Sequence, residues 1–263
     1  MRPRDAISSV VIDSHCHLTF PQLHDDLEGV LQRAAEAGVT GLISIGTTVE
    51  ESTRAYDLAR RYPHVACTAG IHPCYDESAS DFVPALRDLL SDPLVVAVGE
   101  CGLDYFHDDV PRDVQRASFL KQLDLAMEVG KPVVIHSRES VGDCLDIMAD
   151  YPQVSAVFHC FTGTVAEAER LAERGYYVGF TGPLTFKKND ALREAAGKVP
   201  MERLLVETDA PYLSPEPLRG KRPCEPGYVQ HTLATLAKVR GVSVEEMDRI
   251  TTESVQRLFG WSR

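Results

Sequence analysis

Apolar positions along the chain fall into short continuous runs, separated by longer stretches in which they recur every three or four residues. The runs lie at 10–15, 41–45, 65–70, 94–99, 132–136, 156–159, 177–180 and 204–207. Near-continuous apolar character is what strands show when both faces of their sheet are covered. Between and after them, helical periodicity marks 22–37, 50–61, 78–90, 112–129, 140–150, 164–174, 188–198 and 226–240. Eight β-then-α units predict parallel strands joined by right-handed crossovers. A doubly wound open sheet would give a similar alternation, but eight units in 263 residues favour closure into an α/β fold of the (β/α)8 TIM-barrel type. The first strand also runs into DSHCHL rather than a glycine-rich nucleotide loop. A last pattern at 243–259 predicts one or two extra C-terminal helices, and the lack of a linker predicts a single domain over 1–263.

Composition narrows this picture. The chain is 44% hydrophobic and 25% charged, ordinary for a globular protein. Its apolar runs are strand-sized, far from the ~18 residues needed to cross a bilayer. The N-terminal MRPRDAISSVV has arginines but no apolar core of a signal peptide, so a cytoplasmic location without membrane attachment is expected. Seven cysteines, an odd number with no CxxC pair, read as small free thiols rather than a disulfide framework or a thiolate zinc site. A net charge of −12 argues against a protein that coats duplex DNA, which needs a broad basic surface. It leaves room for a nuclease whose positive charge is local and partly metallic. No obligate protein partner is evident.

The chemistry is concentrated where strands end. In such a barrel the reactive groups sit at the C-terminal ends of the strands. His15 and His17 end the first, Glu100 the fourth, His136 the fifth, His159 the sixth and Asp209 the eighth. An HxH pair alone is a weak signal, but i and i+2 of an extended segment share a side, so both imidazoles can face one ion while Cys16 points away. Glu100 follows LVVAVG, and a carboxylate buried there costs several kcal/mol unless it is paired or metal-bound. Its two oxygens can bridge two cations, which an imidazole cannot do. Asp209 can touch a metal and accept a proton from a bound water. Asp13 reads either as an orienter of an imidazole or as an ordinary strand-end aspartate. Asp104 reads either as a structural cap or as a group that holds a ligand or positions substrate, and Glu207 as a packing and hydrogen-bonding residue. His72, just past the third strand, is a candidate substrate contact; His24, His64, His107 and His231 read as local structure. Lys187, Arg219 and Arg222 lie in loops after strands seven and eight, where barrels frequently bind phosphate.

The segments DSHCHL, AGIHP, VGECGLDYF, VVIHSRES, FHCFTG, TGPLTFK, VETDAPYLSP, RGKR and TTESVQRLFG, in this order from 13 to 260, resemble the TatD family of metal-dependent deoxyribonucleases among the amidohydrolase-type barrels. The chain departs from the family pattern after RGK, where it continues RPCEPGYV, and at Ser254. The resemblance implies hydrolysis of DNA ends or of nicked and single-stranded DNA, with His15, His17, Glu100, His136, His159 and Asp209 as metal ligands. One ion is expected near His15, His17 and Asp209, and another near His136 and His159, with Glu100 bridging. Glu100 and Asp209 are the expected catalytic residues. Four imidazoles favour Zn or Mn over Mg, though metal availability can override ligand preference. Two rival readings stay open: a hydrolase of an amide, lactone or aminoacyl ester, including aminoacyl-tRNA deacylation, and a catalytically silent metal-binding scaffold.

Overall fold

The computed structural model describes residues 11–77 and 81–261. Its eight strands are β1 (Val11–Cys16), β2 (Val39–Ser44), β3 (Val65–Ala69), β4 (Val95–Asp104), β5 (Val133–Arg138), β6 (Ala156–Phe158), β7 (Tyr177–Phe180) and β8 (Leu204–Val206). They form one parallel sheet in sequence order. The sheet closes on itself: Cys16 bridges Ala210 in parallel, His17 N–H donates to Ala210 O at 2.7 Å, and Asp209 N–H donates to His15 O at 2.9 Å. This is the (β/α)8 barrel that the alternation predicts.

Helices α1 (Pro21–His24), α2 (Leu27–Glu36), α3 (Val49–Arg61), α4 (Val83–Leu90), α5 (Arg112–Val129), α6 (Val141–Met148), α7 (Val165–Glu173), α8 (Asp190–Lys198), α9 (Val229–Arg240) and α10 (Val244–Phe259) account for the rest. Several expected boundaries move. The pattern at 22–37 is two helices parted at Asp25–Asp26, the tail is one helix, and 226–240 opens with a 3₁₀ turn before α9. Val10 of the first expected strand and 78–80 of the third expected helix lie outside the described residues. Polar starts are set by side chains: Thr48, Thr164 and Ser243 each accept the N–H three residues on, and Thr164 with Glu167 makes a reciprocal capping box.

Two layers of core follow from strand alternation. Outward residues such as Val95, Val133 and Leu204 pack under the helices with Leu86, Phe119 and Leu236. Inward residues near the strand starts, among them Ile12, Ala66, Val96, Val134 and Leu205, form a separate cluster with Val255, Leu258 and Phe259 of α10. The last helix therefore closes the N-terminal end of the barrel, leaving the other end for polar side chains. Among the described residues, no helix is long and apolar enough to cross a membrane.

Candidate metal centre

His136 lies within regular β5, whereas the other candidate ligands are placed by local irregularities at or beyond their strands. In β1 the register against β2 slips between Asp13 and Cys16. His15 and His17 then converge, their Nε2 atoms 3.4 Å apart, while Cys16 turns outward and donates to Ile43 O. Glu100 does not end β4 as the apolar run suggests. It lies in a register slip between Val98 and Cys101, after which the strand resumes pairing with β5 as far as Asp104. Gly102 makes that continuation possible: its φ is +129°, and a Cβ there would fall 2.1 Å from His136 O. His159 and Asp209 follow the last residues of β6 and β8. Asp209 and the neighbour of His159, Cys160, have φ of 57° and 45°, a region non-glycine residues rarely occupy.

The six side chains meet in one buried cluster. Glu100 divides its oxygens: Oε1 lies 2.6 Å from His159 Nε2 and 2.9 Å from His136 Nδ1, and Oε2 lies 3.4 Å from His15 Nε2 and 3.9 Å from His17 Nε2. Asp209 Oδ1 is 3.3 Å from His17 Nε2 and 3.6 Å from His15 Nε2. The His15 and His159 rings stack at 3.9 Å, and His17 stacks on Phe20 at 4.6 Å. Burial pushes the Glu100 carboxyl up, but His159, His72 and His15 outweigh it and leave the group well below the usual range. Asp209 follows the same balance, its burial outweighed by His17, His15 and His159. Burial lowers His15, whereas in His159 and His136 the same effect is overcome by carboxylates, chiefly Glu100 for His159 and Asp104 for His136.

Divalent cations fit this donor set. Two nitrogens that each ligate a tetrahedral zinc at ~2.0–2.1 Å stand roughly 3.4 Å apart, and the His15–His17 pair has that spacing. Donor atoms within 4.8 Å of one another occur in three overlapping groups: His15, His17 and Glu100; His15, His159 and Asp209; and His72, Glu100 and His136. Such converging lone pairs, buried from water, gain a partner only from a proton or a metal.

Supporting residues were only partly legible. Asp104 caps the N–H groups of Phe106 and His107, as expected, but its Oδ2 also takes His136 Nε2–H at 2.7 Å. A carboxylate behind an imidazole fixes its tautomer and aim. Glu207 accepts from Ser14 and from Cys160 N–H, and it stands 3.5 Å from His159 Nδ1. Asp13 holds the β1–β8 seam rather than an imidazole ring, accepting from Thr208 N–H, Thr208 Oγ1 and His15 N–H. Burial raises its carboxyl to about 8. Among the described residues His15 Nδ1 and His17 Nδ1 have no hydrogen-bond partner, so ring stacking and the Nε2 contacts with Glu100 and Asp209 position those rings. His72 Nδ1 accepts Cys74 N–H at 3.0 Å, which leaves the proton of the neutral ring on Nε2, facing Glu100 and His136. Burial lowers this imidazole to about 3, so it stays neutral.

The remaining candidates lie further out. Lys187, Arg219 and Arg222 are exposed, and none forms an ion pair among the described residues. Arg219 lies over the Phe186 ring at 4.0 Å, and Glu216 N–H donates to Thr185 Oγ1 at 2.7 Å, so the loops after β7 and β8 form one lip. His24 and His231 sit on α1 and α9, and His64 precedes β3 at the opposite end of the barrel. All seven cysteines are free thiols.

Comparison with known proteins agrees with the geometry. The model of the family described as TatD related DNase matches residues 12–260. A metal-dependent hydrolase of Bacillus subtilis, YabD, is 36% identical over 95% of this chain and 99% of its own. The 3'-5' ssDNA/RNA exonuclease TatD of Citrobacter rodentium is 39% identical over 95% of this chain and 98% of its own. The crystal structure of YjjV, a TatD homolog of Escherichia coli, superposes with a TM-score of 0.91 at 32% identity, covering 97% of this chain and 100% of that one. The chain therefore belongs to the TatD-related DNase family and is a metal-dependent hydrolase acting on ester bonds.

Proposed function

We propose that the chain hydrolyses phosphodiester bonds at the ends of single-stranded or nicked DNA, with two divalent ions held by His15, His17, Glu100, His136, His159 and Asp209. The observation that carries this reading is the divided carboxylate of Glu100, one oxygen facing the His136–His159 pair and the other the His15–His17 pair. When bound, two such ions lower the pKa of a water toward ~7 and stabilise negative charge developing on phosphoryl oxygens. Asp209, ionised by its histidine neighbours, accepts the proton that the attacking water loses. His72 presents Nε2–H toward the same space and donates to a phosphate oxygen. Lys187, Arg219 and Arg222 hold the backbone beyond the scissile bond, Lys as a point charge and Arg through paired hydrogen bonds.

The rim favours unpaired bases. Five large apolar side chains are exposed among the described residues, and four of them, Tyr75, Phe106, Tyr212 and Leu213, lie in loops after β3, β4 and β8. Tyr212 stands edge-on to His17 at 6.3 Å, and Tyr75 to His72 at 6.1 Å. Exposed rings beside a phosphate-binding centre suit stacking of splayed bases, worth ~1–3 kcal/mol per base. The relative from Citrobacter rodentium is named for action on single-stranded DNA and RNA, which supports the same substrate class here.

The test is an assay of the metal-loaded protein against end-labelled single-stranded oligonucleotide, blunt duplex and simple carbonyl esters. Stepwise shortening of the single strand, slower attack on the duplex and loss of both on chelation are expected. Faster hydrolysis of the carbonyl esters than of the oligonucleotide would overturn the phosphodiester assignment.

A further inference from the structure

A second cluster of donors stands beside the centre and uses none of its six ligands. Cys74 lies in the turn after β3, Asp104 ends β4, and His107 follows in the next loop. Cys74 Sγ is 3.9 Å from His107 Nδ1, which is 3.0 Å from Asp104 Oδ2, and the three donor atoms lie within 4.8 Å of one another. We propose that Cys74, Asp104 and His107 form a third cation site at the mouth of the barrel, selective for a thiophilic divalent ion such as zinc or cadmium.

The geometry requires little adjustment. Ligands at ~2.3 Å (sulfur) and ~2.0–2.1 Å (nitrogen) of a tetrahedral zinc stand roughly 3.6 Å apart, a few tenths of an ångström inside the observed separation. Asp104 is anchored, because its Oδ1 takes the N–H groups of Phe106 and His107 at 2.9 and 2.8 Å. His107 is 44% exposed at its side chain and can turn, and its outer face leaves room for water as a fourth ligand. Electrostatics also favour a cation. Burial and the carboxylates of Asp104, Asp109 and Glu100 push the Cys74 thiol up to about 12, and the negative potential of those carboxylates is what a cation would relieve. On binding, the thiol proton passes to solvent as the sulfur–metal bond forms, and His107 ligates through Nδ1 with its own proton on Nε2.

The other thiols offer no such set. Cys16, Cys67, Cys101, Cys144 and Cys224 are buried, and the Cys160 sulfur faces Thr181 Oγ1 at 3.2 Å. Softness separates this site from the centre, since thiolate favours zinc and cadmium and discriminates against manganese and magnesium. The two are nevertheless linked, because Asp104 Oδ2 also receives His136 Nε2–H. An ion on that oxygen competes with the bond that aims His136, so filling the mouth site slows turnover without displacing the ions of the centre.

The experiment is a titration of the manganese-loaded full chain with cadmium chloride, following the ultraviolet charge-transfer band of a cadmium–thiolate bond. Cadmium bound only by imidazole and carboxylate gives no such band. One saturable band per chain is expected, absent in Cys74→Ser and retained in Cys160→Ser. In His107→Ala the affinity should fall about 10-fold or more, the loss seen even when a group that merely orients a ligand is removed. Cys74→Ser changes one atom in a turn, and His107→Ala alters an exposed loop, so far-ultraviolet circular dichroism should match the parent in both. A band that survives Cys74→Ser, or no band in the parent, overturns the proposal.

Discussion

At Asp209 three features coincide: a left-handed backbone, a seam hydrogen bond to His15 O, and a carboxylate within 3.6 Å of the His15 and His17 imidazoles. The neighbouring seam bonds, above all those of Asp13 with Thr208, hold this strained backbone without help from the Asp209 side chain. Asp209→Asn keeps shape and removes proton-accepting capacity and charge, and saturating metal offsets its weaker ligation. The fold should survive, and kcat at saturating metal should fall ~10²–10⁴-fold, the range for a positioned general base. A change below about threefold would reject Asp209 as the base. His72 differs in kind: Cys74 N–H donates to its Nδ1, so in the proposed reading it serves as a donor to substrate rather than as a metal ligand.

At the scale of elements, β4 carries the most demanding geometry. Glu100 reaches both groups of imidazoles because the strand slips register and then resumes pairing with β5, and Gly102 permits the close return. Gly102→Ala should cost at least ~1–3 kcal/mol, as overpacking does, and lower Tm by roughly 2–4 °C per kcal/mol for a chain of this size. Gly197→Ala is the control: a Cβ there, near the end of α8, meets nothing within 4 Å. Equal Tm for the two variants would show that the close approach at Gly102 is unimportant. The barrel itself was legible because each strand is a compact apolar run and each helix has its own period. The positions of His15, Glu100, His136 and His159 beside the apolar runs were legible for the same reason, as each ends or directly follows one, and Asp209 comes two residues after the last. That the strand continues past Glu100 was not legible, since a register slip depends on the neighbouring strand and leaves no local pattern. The same holds for Asp13, Asp104 and Glu207, whose partners Thr208, His136 and Cys160 come from other strands and loops.

Over the whole molecule, a net charge of −12 coexists with a lip carrying Lys187, Arg219 and Arg222 free of ion pairs among the described residues. Glu100 and Asp209 contribute −2 against +4 from two divalent ions, so the proposed centre is locally cationic in an acidic protein. DNA binding should then depend on few contacts and respond to each. Lys187→Ala and Arg222→Ala should raise KM for oligonucleotides and flatten the salt dependence of binding by roughly one counterion per contact. Parent-like binding across a salt series would remove these residues from the substrate path. The central claim is that two ions, not one or none, make the active enzyme. It is tested most directly by adding Mn²⁺ stepwise to chelated protein, held above its dissociation constant, while metal content and cleavage of single-stranded oligonucleotide are read from the same samples. The account predicts no cleavage without metal and a rise that completes only at the second equivalent. Full activity in metal-free protein, or a plateau at one equivalent, would contradict it.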